Sequence, residues 1–97
     1  MNTTYTLRDL EADDYQQPPR SDREQLTAGD LVKLAFAPTE PDRLTEWMWV
    51  IVLARTAGGY VGRLDNVPAN IPSLQAGDDV RFGPEHVFKI EPAGRPQ

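Results

Sequence analysis

From Leu31 to Ala37 the chain alternates, with Val32, Leu34 and Phe36 on one side and Lys33 and Ala35 on the other. A period of two predicts a strand with one buried face. Glu46–Arg55 holds the longest apolar run, Trp47 to Ala54, whose aromatic and β-branched content favours a strand covered on both faces. Ala57-Gly58-Gly59 is a hairpin signal, and Tyr60 to Leu64 returns as its partner strand. Asp79–Phe82 and His86–Ile90 supply two more strands, joined across Gly83-Pro84. Pro38 to Thr45 and Asp65 to Pro72 read as loops. The expected fold is α+β and mostly β: a five-stranded, strongly curved sheet or small barrel with one short N-terminal helix.

That helix is expected to open at Ser21-Asp22-Arg23-Glu24, a capping-box spacing, and to end near Leu26-Thr27. Leu26-Thr27-Ala28-Gly29-Asp30-Leu31-Val32-Lys33 is echoed by Leu74-Gln75-Ala76-Gly77-Asp78-Asp79-Val80-Arg81. Both copies give an anchoring leucine, a Gly-Asp turn and a strand with an inward valine, so they predict two equivalent turns in one domain. Residues 1–17 carry one arginine against four carboxylates, a net −3, and Pro18-Pro19 stops any helix before it. This segment is expected to be a short helix, an ordered arm or a loose tail. The domain proper then spans 18–91 and a short tail 92–97.

Ninety-seven residues make one domain with a thin core, and there is no cysteine to staple it. That removes thiol catalysis and thiolate metal sites. No run approaches the ~20 apolar residues of a membrane span, and the N-terminus lacks a basic-then-apolar leader, so the expected address is the cytoplasm with no membrane partner. The net charge is −5, and no basic cluster interrupts it, which argues against nucleic acid. The acidic balance suits a basic partner, and equally serves solubility alone.

His86 is the single histidine. An acid–base role would enlist Asp78, Asp79 or Glu85, yet Ser21 and Ser73 lack nucleophile-elbow surroundings, and a hydrogen bond capping the turn is the simpler use. One histidine without cysteine is a poor zinc set, so no metal or cofactor is expected. Trp47 and Trp49 share one strand face: either both are buried, or Trp47 is partly exposed as a binding anchor. The loop Leu64-Asp65-Asn66-Val67-Pro68-Ala69-Asn70 suits turn chemistry. In a functional reading Asp65, Asn66 and Asn70 form one rim of a recognition surface with Trp47 and Arg63, while Asp13 and Asp14 steer a basic partner.

The ordered set Pro19-Arg20-Ser21, Glu24, Leu26, Gly29-Asp30, Val32-Lys33, Phe36, Glu46, Met48-Trp49-Val50, Tyr60, Gly62, Leu64, Asn66, Pro68, Gly77-Asp78, Val80, Phe82 and Glu85-His86-Val87 resembles the YegJ-like family of bacterial proteins. The resemblance covers residues 18–91 and includes a branch regarded as immunity proteins of polymorphic toxin systems. Trp47 departs from it, since the family more often has a charged residue there. The resemblance implies a compact α+β domain of bacterial or phage origin and brings no catalytic residues. The functional expectation is a non-enzymatic interaction module of the immunity type, bound to a protein partner such as a basic toxin. The alternatives are a small-ligand or peptide-binding regulatory barrel and, more remotely, an enzyme using His86.

Overall fold

The computed structural model describes residues 5–93, so the first four residues of the acidic arm and the last four of the tail lie outside the described residues. The elements are β1 (Tyr5–Leu7), α1 (Arg20–Arg23), β2 (Leu31–Pro38), β3 (Glu46–Thr56), β4 (Gly59–Leu64), β5 (Asp79–Phe82), a 3-10 turn (Pro84–His86) and β6 (Val87–Glu91). All strand pairs are antiparallel, in the order β5-β4-β3-β2. The remaining edge of β2 is shared, with β6 on Leu31 to Leu34 and β1 on Phe36 to Pro38. Six segments therefore build a sheet five strands wide, and it curls into a half-barrel. The five strands expected from the sequence are all present.

The alternation of β2 works as its pattern dictates: Val32, Leu34 and Phe36 point into the core. Met48, Val50 and Val52 join them from β3, with Tyr60 and Leu64 from β4, Val80 and Phe82 from β5, and Val87 from β6. Leu26, Ile71 and Leu74 cover the ends. Each such apolar side chain contributes about 1.5–3 kcal/mol relative to exposure, which is how a thin core holds. The curl needs close approach of β4 to β3. A Cβ added to Gly62 would lie 2.5 Å from Val50 Cγ1 and 2.6 Å from the Ile51 carbonyl oxygen, so the bend admits only glycine there.

The echoed octapeptides do form equivalent turns. Asp30 N–H donates to Thr27 O and Asp78 N–H to Gln75 O, both at 3.1 Å, and Gly29 and Gly77 take φ of 96° and 94°. A positive φ at the third residue is what a type II turn requires. Each glycine then begins a bulge: Gly29 N–H donates to Val52 O while Val52 N–H donates to Asp30 O, and Gly77 and Asp78 do the same with Leu64. Each aspartate closes its turn by accepting from the amide of Thr27 or Gln75 at 2.9 Å.

One local expectation is corrected, and the alternatives for the acidic segment narrow to the ordered arm. The helix is a single turn with Pro19 at its N-cap and no side-chain cap. The Ser21–Glu24 box does not form because Arg20 draws the Glu24 carboxylate into an i,i+4 ion pair at 2.7 Å. The acidic segment, in its described part, is neither helix nor loose tail. β1 pairs with β2, Arg8 N–H donates to Ala35 O, and Leu10 is fully buried with its N–H on Glu85 O. Gln17 donates to the carbonyls of Glu85 and Val87, at 3.2 and 2.8 Å. Glu11 pairs with Arg20 and Arg23, whose guanidiniums, Arg23 first, hold its carboxyl below the ordinary range. Arg23, itself buried, also donates to Pro18 O and Pro84 O.

Candidate interaction surface

The outer side of the sheet carries what the core leaves out. Pointing Met48, Val50 and Val52 inward puts Trp47 and Trp49 outward, where both are half-buried. Trp47 does not stand alone. Its ring lies 4.8 Å from Phe88 of β6 and 5.6 Å from Tyr15 of the acidic segment, with Tyr15 edge-on to Phe88. β3 and β6 are separated by β2, about 10 Å in all. The rings can meet across that gap because the residue in register with Trp47 is the small, fully buried Ala35. Beside them Lys33 stands in register with both Trp49 and Lys89. Lys33 Nζ lies 5.6 Å from the Trp49 ring and Lys89 Nζ 5.7 Å from Phe88, within cation–π range.

The 64–70 loop is tied to this strand. Asp65 N–H donates to Trp49 O at 2.9 Å, and Asn66 Oδ1 accepts from Trp49 N–H, so a side-chain carbonyl continues the β4 ladder beyond Leu64. The Glu46 carboxylate accepts from the amides of Ala69 and Asn70, at 2.7 and 2.9 Å. Arg43 reaches Asn70 O at 3.3 Å and pairs with Glu40. On these two joined loops, Leu44 and Val67 are 78% and 82% exposed.

Among the residues expected to bind, Trp47 meets Tyr15, the sequence neighbour of Asp14, whereas Asp65 and Asn66 bond the backbone of Trp49. Asn66 and Asn70 are bound into the loop architecture. Asp13 is engaged by Arg8 at 2.9 Å, while Asp14 and Asp65 form no ion pair among the described residues. Arg63 is exposed on β4 between Ile51 and Asp79 in register, one row from Trp49. Sequence reasoning missed Tyr15, Phe88, Lys33, Lys89 and Glu46. Tyr15 sits in a polar stretch with no period, and the bulge between Lys33 and Leu34 breaks the alternation that would place Phe88.

His86 Nδ1 accepts from Gly83 N–H at 2.9 Å while the His86 backbone N–H donates to Gly83 O at 3.1 Å, a reciprocal cap on the 3-10 turn. Its Nε2 lies 3.7 Å from Glu85. Burial pulls the imidazole pKa below its ordinary value, against the opposing charges of Glu85 and Asp9. Among the described residues no group of three or more His, Asp or Glu could hold a metal ion, and no helix is long and apolar enough to cross a membrane. Comparison with family models, curated proteins and solved structures returns no match.

Proposed function

We propose that the protein is a non-catalytic interaction domain that engages a protein partner through the outer face of its sheet. The observation that carries this reading is the cluster Trp47, Phe88 and Tyr15, with Trp49 beside it. None of these rings belongs to the core cluster, and Tyr15 remains 39% exposed. Partly exposed aromatic rings on a rigid scaffold are the commonest binding anchors. The resemblance to immunity proteins makes a basic toxin the partner of choice, with Asp14 and Asp65 steering it. Lys33 and Lys89 lie on the face itself and oppose such a partner, which gives the charge argument a test of sign.

Affinity capture from the native host with the wild-type chain and with Trp47→Ala as baits supplies the partner. Trp47→Ala should then weaken binding by about 2 kcal/mol, roughly thirtyfold, with the domain still folded. Lys33→Glu should speed association with a basic partner at low salt, and Asp14→Lys should slow it. Slower association of Lys33→Glu would identify an acidic partner and remove the toxin reading. Undiminished binding by Trp47→Ala would remove the aromatic face.

A further inference from the structure

The half-barrel stops at β1 on one side and β5 on the other, and these two strands do not pair with each other. An open groove of about 830 Å³ runs between them, with Tyr5 and Leu7 on one bank, Asp79 and Arg81 on the other, and Leu74 and His86 below. That volume is in the range of ligand sites, ~300–1,000 Å³.

The ladder pattern says which way the backbone of each bank faces. Leu64 N–H donates to Asp78 O, so the Asp78 carbonyl and the peptide groups of Val80 and Phe82 turn toward β4. Asp79 and Arg81 turn theirs toward the groove. Gly83 would be next, but His86 Nδ1 takes its N–H and ends the edge there. On the other bank Arg8 N–H donates to Ala35 O, so Thr6 and Arg8 serve β2 and Tyr5 and Leu7 face the groove. Among the described residues the backbone groups of these four have no backbone partner. Four antiparallel steps separate β1 from β5, so the two run in the same direction. A single segment running the other way pairs antiparallel with both.

We infer that this groove accepts an extended segment of a partner protein as one more β-strand, which closes the half-barrel. The segment alternates apolar and basic side chains. Apolar ones face inward, where Tyr5 and Leu7 pack against the core and Leu74 is buried. Basic ones face Asp79, which forms no ion pair among the described residues, and the mouth at Asp78; burial, and after it the Asp78 carboxylate, pushes the Tyr5 hydroxyl up from its ordinary value. The groove lining holds two carboxylates against Arg81, and Arg63, in register with Asp79 on β4, lies outside that lining. Strand addition of this kind draws affinity from main-chain hydrogen bonds and specificity from alternate side chains. The site is independent of the outer aromatic face.

The test uses an acetylated, amidated peptide alternating valine and lysine, at millimolar concentration, with amide hydrogen exchange read residue by residue. The expected result is new protection at the amides of Leu7, Asp79 and Arg81, absent with the valine–glutamate counterpart. Asp79→Lys should weaken the lysine peptide by about tenfold, the size of one good charge pair. Arg81→Pro removes an outward N–H that an edge strand can spare, and should abolish the protection. Asp79→Lys keeps the test decisive if that variant does not fold. Trp47→Ala should leave peptide binding unchanged. No added protection at the two edges, protection on the outer face instead, or edges already protected without peptide by another part of the chain would each overturn the inference.

Discussion

The two Leu-x-Ala-Gly-Asp turns share hydrogen bonds, bulge and φ values, yet they sit in different company. Gly29 is packed, with an added Cβ only 3.0 Å from Ala93 Cβ, whereas a Cβ on Gly77 would meet nothing within 4 Å. Asp30 is buried and uses its second oxygen to accept from Ala93 N–H at 2.7 Å, while Asp78 is half-exposed with no such addition. The first turn launches β2, which has three partners; the second launches β5, which has one. Local chemistry fixes the shape of a turn, and the surroundings fix how much that shape is worth. The less constrained copy is also the one that borders the open groove.

That contrast can be broken by substitution. Gly29→Ala should be the most costly, about 2 kcal/mol or more, from backbone strain and the Ala93 contact together. Asp30→Ala should follow at about 2 kcal/mol, because it strands the amides of Thr27 and Ala93. Gly77→Ala should cost about 1 kcal/mol from strain alone, and Asp78→Ala less than that. In a domain of this size each kcal/mol shifts Tm by about 4–8 °C, so thermal melts resolve the order. Equal losses at Gly29 and Gly77 would show that the surroundings contribute nothing.

The smallest effect concerns pH. Because burial lowers the His86 pKa, the unfolded chain takes up the proton first on acidification. The contribution of neutral His86 is therefore complete above the unfolded value of ~6.5 and is lost as pH falls below it. Urea midpoints between about pH 7 and pH 5 should fall further for wild type than for His86→Gln. A wild-type midpoint that instead rises relative to His86→Gln would mean that Glu85 and Asp9 outweigh burial.

Alternation revealed β2 because one of its faces lies in the core, an apolar run revealed β3 and a Gly-Gly hairpin β4, and the echo revealed the turns because glycine is the residue that tolerates their φ. What stayed illegible has no period to detect. β1 is three residues long, and Leu10 is a single apolar residue among carboxylates, buried where its N–H bonds Glu85 O, far along the chain. The Ser21 spacing misled because Arg20, one residue earlier, competes for Glu24. For the surface, the sequence located Trp47 but not its ring partners, which come from two other segments.

Leu10 binds the backbone at Glu85, and Gln17 binds at Glu85 and Val87. A ribosome releases the chain in order, so the side chains made early have nowhere to dock until those late residues emerge. Until those residues emerge, the nascent chain must hold Leu10 and the unpaired edge of β2 in water, where slow long-range closure invites chaperones or misassembly.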